Sequence, residues 1–276
     1  MAGDRCVLVT NGNLLSLLSL SGFLRERGEL IQKVFVTRKL PSQRSNVTGL
    51  LKMLRRTGWP YAYFKVWINA IVPARFRRLG LPGSVGDYLD VLGLPTPVEA
   101  VESVNTRRVI SEVLDLAPEL LLSCSATERF NQELLDAPTR GAVNVHFGAL
   151  PAYAGLSPYF WHLANREREF GVTLHRMDLR LDAGPIIDQV HGDLSSSRSA
   201  LDLALRMTDC AGPMLQRFFE GTTTLASVRP QDLSKRSYFG HPTRRQMRDF
   251  HRAGLVMKDR ASAGLLRARV AALVSA

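Results

Sequence analysis

The chain has 276 residues, 45% of them hydrophobic and 22% charged, with three cysteines and a formal net charge of +11. That is the composition of an ordinary globular protein, long enough for one large core plus a small appendage. Cys6, Cys124 and Cys210 form no CxxC pair and match no zinc spacing, and their odd number argues against a disulfide framework, so they read as reduced thiols of a cytoplasmic protein. No uncharged apolar run is long enough for a spanning helix, the start MAGDRCVLV has no secretory pattern, and the histidines show no metal-ligand spacing.

In chain order, CVLVT (Cys6 to Thr10) is a short valine-rich run that predicts a buried strand. Asn11, Gly12 and Asn13 predict a turn, and leucines at helical spacing predict a helix from Leu14 to Arg27, stopped at Gly28. Ile31 to Val36 predicts a second strand. Strand, turn, helix, strand is a βαβ unit, so a mostly parallel sheet with right-handed crossovers is expected.

Ser45 to Leu79 reads as an insertion of aromatic and basic character, containing GWPYAYFKVWINAIVPARFRR. It suits a lid, a dimer contact or a membrane-surface element. Helices are predicted over Val85 to Leu92 and Asn105 to Leu116, and strands over Pro118 to Ser123 and Gly141 to His146, with a helix opening at Asn131 to Leu135. Phe170 to Met177 alternates like a strand, with Pro185 to Val190 its neighbour across Leu181-Asp182-Ala183-Gly184. Ser197 to Glu220 is a long helix. Beyond Gly221 the chain is basic and irregular, with a last apolar helix near Ala261 to Val274. The expected division is a catalytic unit over 1–220 and a basic extension over 221–276.

Chemistry gathers at the end of the Gly141 to His146 strand. Asn144 and His146 are two apart and so face the same side of the sheet. Ligands of open α/β sheets sit beyond the carboxyl ends of the strands. The loop FGALPAYAGLSP follows, and Asp182 comes later in a tight LDAGP turn. An amide donor, a neutral imidazole and a carboxylate suit acyl transfer to an amine: one group takes the proton of the amine, directly or through water, and another stabilises the developing oxyanion. Singly, each residue reads equally as a cap, a hydrogen-bonding strand residue or a turn former. His175, on a strand, reads as structural.

The stretches NVHFGALPAYAGLSPYFW (Asn144 to Trp161) and GVTLHRMDLRLDAGPII (Gly171 to Ile187) resemble the folate-dependent formyltransferases, a family that includes glycinamide ribonucleotide transformylase, methionyl-tRNA formyltransferase and sugar-nucleotide N-formyltransferases. The shared pattern is Asn-x-His, a Leu-Pro-x-Tyr-x-Gly loop, Gly-Val-Thr and Leu-Asp-x-Gly. The resemblance implies a Rossmann-like α/β fold and an N-formyltransferase that uses 10-formyltetrahydrofolate, with Asn144, His146 and Asp182 catalytic and no metal. It implies that the pterin lies against Ser125, Ala126, Thr127, Arg129 and Phe130 on one side and Met177, Asp178 and Leu181 on the other. Asn11, Gly12 and Asn13 sit where some relatives contact the acceptor, and Gly155, Ser157 and Tyr159 are further acceptor-side candidates, with His162 weighed beside them. Two positions depart from the pattern: Gly148 stands where serine is common, and Ala154 where arginine or proline is usual.

The acceptor is less determined. The charge alone suggests tRNA, but the basic tail lacks the alternating short strands of the barrel found in the tRNA formylating enzymes, so nucleic acid ranks lower. SYFGHPTRRQMRDFHRAG (Ser237 to Gly254) resembles tails of specialised and sugar-nucleotide formyltransferases. An anionic small-molecule amine, such as an amino-sugar nucleotide, is therefore the expected acceptor. A formyltetrahydrofolate hydrolase, a non-catalytic binding module, a homodimer and a peripheral membrane contact through Trp59 to Arg78 are the other readings carried forward.

Overall fold

A computed structural model describes residues 5–37, 46–126, 128–226 and 228–275. Ser45 at the edge of the expected insertion, and Thr127, lie outside these residues.

Strand β1 (Cys6–Thr10) leads through Asn11-Gly12-Asn13 into helix α1 (Leu14–Arg27), and β2 (Ile31–Thr37) follows. The Asn13 side chain accepts a hydrogen bond from the Ser16 amide at 3.0 Å, which caps the start of α1. Next come α2 (Asn46–Thr57), α3 (Trp59–Val66), α4 (Val72–Arg78), α5 (Val85–Val91) and β3 (Val98–Val101). Helix α6 (Arg107–Leu116), β4 (Leu120–Cys124), α7 (Gln132–Asp136) and β5 (Ala142–His146) complete the parallel part. The two-residue β6 (Ala154–Gly155), α8 (Pro158–Ala164), β7 (Glu169–Arg176), β8 (Ile186–Asp193) and α9 (Ala200–Phe219) follow. The tail adds β9 (Tyr238–Phe239), α10 (Arg244–Arg252) and α11 (Arg260–Ser275).

The main sheet has the order β3-β2-β1-β4-β5-β7-β8. The five strands from β3 to β5 run parallel, and β7 and β8 are antiparallel to their neighbours. Strand order reverses between β1 and β4, which opens a crevice at their carboxyl ends. The sheet is covered on both faces, as a parallel sheet requires. Side chains alternate along β1: Cys6 and Leu8 join a core with α1, α5 and α9, while Val7 and Val9 join a second core with α6 and α7. Truncating a fully buried leucine such as Leu20 to alanine would cost ~2–5 kcal/mol.

Elements that sequence patterning misses lie at the sheet edge, in the insertion and in the tail. β3 is a half-exposed edge strand. The insertion is three helices, with Pro60 and Pro73 in the first turns of α3 and α4 and a π-helical turn over Trp67–Ile71 between them. Proline is tolerated in a first turn because the missing N–H has no partner there anyway. This segment buries Tyr61, Phe64, Ile68 and Phe76 and leaves Trp59, Tyr63 and Ile71 exposed. β9 of the tail pairs with β6, and the Trp161 indole donates to the Gly240 carbonyl at 2.9 Å. Residues beyond Gly221 thus fold back onto the loop after His146.

Candidate functional site

Asn144 and His146 share one face of β5, and antiparallel pairing with β7 sets His175 directly across from Asn144. The His175 Nδ1 atom lies 2.8 Å from the Arg176 carbonyl, and Nε2 lies 3.1 Å from Asn144 Nδ2. A carbonyl only accepts, so Nδ1 carries the proton and Nε2 offers its lone pair to the Asn144 amide group. Burial pushes the His175 pKa down to about 4, against the attraction of Asp182. His175 is therefore neutral near pH 7 and fixes which way Asn144 points. His175 lies on a strand, buried, as the sequence predicts, and it also lines the cavity and orients Asn144.

His146 Nε2 lies 2.7 Å from the Tyr153 carbonyl, and so donates to it. Nδ1 then faces Asp182, 3.6 Å from Oδ1. The other carboxylate oxygen of Asp182 accepts from the Gly155 amide at 2.8 Å, and Oδ1 stands 3.9 Å from His175 Nε2. Asp182 is buried at 7% exposure with φ of +52°, a left-handed conformation that is uncommon for a non-glycine residue. Ser125 and Ser157 share that conformation at +60° and +54°. Three such residues around one cavity follow the tendency of local strain to gather at functional sites. The tail braces this turn: Gln231 Nε2 donates to the carbonyls of Asp182 and Gly184, and Arg236 donates to that of Leu181.

Gly148 accounts for its own identity. A Cβ there would meet the Tyr153 carbonyl oxygen at 2.5 Å and His146 Nε2 at 2.7 Å. The space of a side chain is filled by the hydrogen bond that sets the His146 tautomer. Gly155 has φ of +100° and touches the Phe239 carbonyl, so a Cβ is excluded there too. Thr173 pins the intervening loop by donating to the Gly148 carbonyl at 2.7 Å and accepting from Leu150 N and Gln189 Nε2.

These groups line a cavity of about 320 Å³. One wall carries Ser125, Ala126, Arg129 and Phe130, and another carries Met177, Asp178 and Leu181. Glu128, passed over in the sequence, also lines it and ties the first wall down by accepting from Ser103 Oγ, Val104 N and Asn105 Nδ2 at 2.6, 2.8 and 3.0 Å. Asn11, Asn13, Gly155, Ser157 and Tyr159 line the remainder. Gly12 does not; it is a buried turn residue with φ of +66° packed on Val36. His162 is also buried away from the cavity, stacked on Tyr153. Lys65 from α3 and His241 from the tail line the cavity although no pattern marked them. Their only sequence signal is membership of the aromatic and basic insertion and of the tail segment Ser237 to Gly254. Among the described residues no group of three or more His, Cys, Asp or Glu side chains could hold a metal ion, and no helix is long and apolar enough to cross a membrane.

Fold and site together define a Rossmann-like α/β protein with an Asn/His/Asp centre at the strand ends. Residues 96–217 match the family model described as Formyl transferase, a span that holds Asn144, His146 and Asp182. Several solved structures share the fold. WlaRD, described as a sugar 3N-formyl transferase in the presence of dTDP and 5-N-formyl-THF, is 18% identical with a TM-score of 0.53, covering 87% of this chain and 70% of its own. An N-formyltransferase from Helicobacter canadensis, in complex with folinic acid and dTDP-3-aminofucose, is 18% identical with a TM-score of 0.51, covering 86% and 71%. Glycinamide ribonucleotide transformylase 1 from Symbiobacterium toebii is 17% identical with a TM-score of 0.52, covering 83% and 95%.

Proposed function

We propose that the protein transfers the formyl group of 10-formyltetrahydrofolate to the amine of a small anionic acceptor, an amino-sugar nucleotide or another natural-product amine. The observation that carries this reading is the meeting of Asn144, His146 and Asp182 in one cavity, inside the segment that matches the formyl transferases. The walls suit a flat heteroaromatic donor: apolar Ala126, Phe130, Met177 and Leu181 offer faces, and the loop backbones offer edge hydrogen bonds. Fold neighbours described with formyl-THF, folinic acid and dTDP ligands support both partners. Three unpaired cysteines fit a reducing, cytoplasmic compartment.

In this reading the amine attacks the formyl carbon, the carbonyl oxygen gains negative charge, and the bond to the donor nitrogen then breaks. Asn144 keeps one N–H on His175 and turns the other toward that oxygen. Asp182 and the Nδ1 lone pair of His146 receive the proton shed by the amine, directly or through water. The same proton returns to the departing donor nitrogen, so no net charge accumulates.

Full-length protein mixed with 10-formyltetrahydrofolate and a panel of amines tests this, with tetrahydrofolate followed spectroscopically and the formylated amine by mass spectrometry. Amine-dependent production of both is expected. Formate release without an amine would replace the reading with a hydrolase, and no turnover across a broad panel would replace it with a binding module.

A further inference from the structure

Among the described residues, the Lys65 ammonium in the cavity wall has no carboxylate beside it. The Lys65 Nζ atom donates to the Tyr159 hydroxyl at 2.9 Å and lies 5.6 Å from the ring centres of both Tyr61 and Tyr159. An ammonium has three donors, and this one meets only tyrosine hydroxyls, that of Tyr159 with Tyr61 close by. Burial works against its charge, yet the oxygens of Tyr159 and Tyr61 outweigh that and hold Lys65 above the ordinary lysine range. It stays an ammonium, which rules out service as a neutral base. Two aromatic faces stabilise a cation in part, but a half-buried charge facing a cavity is fully satisfied by an anion.

The surroundings place this charge relative to the reaction centre. The Gly155 amide holds Asp182, while Ser157 and Tyr159, two and four residues further on, hold Tyr61 and Lys65. One short loop therefore runs from the carboxylate to the ammonium, over no more than about 14 Å between Cα atoms. Tyr61 Oη lies 2.7 Å from Ser157 Oγ and 2.9 Å from His241 Nδ1, so insertion, loop and tail are joined at one point. Asn69 donates to the Lys65 carbonyl at 2.7 Å and accepts from Asn13 at 3.0 Å, which ties the helix bearing Lys65 to the start of α1. The described wall residues Ser125, Ala126, Arg129, Phe130, Met177, Asp178 and Leu181, expected to face the donor, have no hydrogen bond in this network.

Building on the formyl-transfer reading, we infer that Lys65 binds an oxyanion on the acceptor, a phosphate or a carboxylate, and so sets acceptor specificity from the insertion. Tyr159 and His241 present neutral polar atoms beside it.

Calorimetric titration of the full chain at low ionic strength tests this, with inorganic phosphate, pyrophosphate and acetate as probes. At least one of them is expected to bind saturably, about tenfold or more weaker in Lys65→Met, as for loss of a charge-assisted hydrogen bond, and with Lys65→Arg close to the original protein. The phosphate and acetate arms separate the two kinds of oxyanion. In the unsubstituted chain, the bound probe should protect Lys65 from amine-reactive labelling, a readout that holds even where the methionine variant fails to fold. No saturable binding by any probe, equal binding by Lys65→Met, or labelling unaffected by the probe overturns the proposal. Loss of folinic acid affinity in Lys65→Met with anion binding intact also overturns it, by moving Lys65 to the donor's carboxylates. Lys65-dependent anion binding in a chain that binds no folinic acid and formylates no amine would instead sink the formyl-transfer reading alone.

Discussion

The two ends of the cavity are built in different ways. At the proposed reaction end, Asn144, His146 and His175 are set by the register of two adjacent strands, and Asp182 by the turn that follows them. At the proposed acceptor end, contacts join residues far apart in the chain: the Tyr61–His241 hydrogen bond spans 180 positions, and the Lys65–Tyr159 bond spans 94. Strand register fixes which side chains face each other and leaves little room for change. A wall made by an insertion can be replaced without moving that register, while the tail also braces the Asp182 turn through Gln231 and Arg236. The comparison therefore predicts that substitutions at one end act on turnover and at the other on acceptor binding.

The sharpest way to break it is at the reaction end. His146→Ala and Asp182→Asn should each lower kcat by about 10²–10⁴-fold, the range for loss of a general acid or base. Circular dichroism and the thermal midpoint should show folded protein in both. Asn144→Ala should cost about 10²–10³-fold, the range for loss of one oxyanion donor. Formyl transfer near the original rate in His146→Ala or Asp182→Asn would remove the distinction between the two ends altogether.

Gly148→Ala probes the reaction end without deleting any polar group. The added Cβ would need the space of the Tyr153 carbonyl and His146 Nε2, at 2.5 and 2.7 Å. Crowding of this kind costs ~1–3 kcal/mol. If it also breaks the hydrogen bond that sets the His146 tautomer, kcat should fall further than the stability loss explains, with the acceptor KM nearly constant. Steady-state kinetics beside thermal melts would separate the two effects. A variant that melts earlier but turns over normally would show that the Tyr153 contact does not serve the chemistry.

What the sequence reveals divides along the same line. Period-two and period-3.6 patterns place β1, α1, β2, β5, β7 and α9 within a few residues, because each buries a face against one continuous core. Asn144, His146 and Asp182 come forward through the stretches that resemble the folate-dependent formyltransferases; strand alternation and a tight turn alone make them only a plausible acyl-transfer site. The cavity role of His175 is missed because it depends on a cross-strand partner and a tautomer, neither of which is local. Lys65 and His241 leave no local trace: a lysine between aromatic residues in a helix reads as a solvated charge until α3 is laid against α8. The two-residue pairing of β6 with β9 exists only once the tail returns, so no periodicity announces it.

Acid should weaken both ends together. Burial pushes His162, His175 and His241 down to about 4 from an ordinary value of 6.5. Between those pH values the unfolded chain binds protons that the folded chain refuses, so unfolding becomes easier as pH falls. The stability that depends on these neutral imidazoles is fully present above pH 6.5 and is lost progressively toward pH 4. Thermal midpoints measured from pH 7.5 down to pH 4.5 should decline. His162→Phe, which keeps the stack on Tyr153 and lies outside the cavity, should flatten that decline. A midpoint that rises on acidification would show that these imidazoles take up protons in the folded state.

The smallest expected effect is also the cleanest test of the acceptor end. Tyr61→Phe keeps the ring that packs on Phe160 and lies beside Lys65, and removes the hydroxyl shared by Ser157 and His241. Neutral hydrogen bonds contribute ~0.5–1.5 kcal/mol, so the acceptor KM should rise about two- to twelvefold. Ser157 sits in the left-handed region, and losing this anchor lets the loop relax around Tyr159 and Lys65 while Gly155 continues to hold Asp182. Turnover at saturating acceptor should therefore stay within about twofold of the original, the signature of a purely binding contribution. If kcat falls as far as kcat/KM, the loop transmits the loss at Ser157 to Asp182, and the two ends work as one unit.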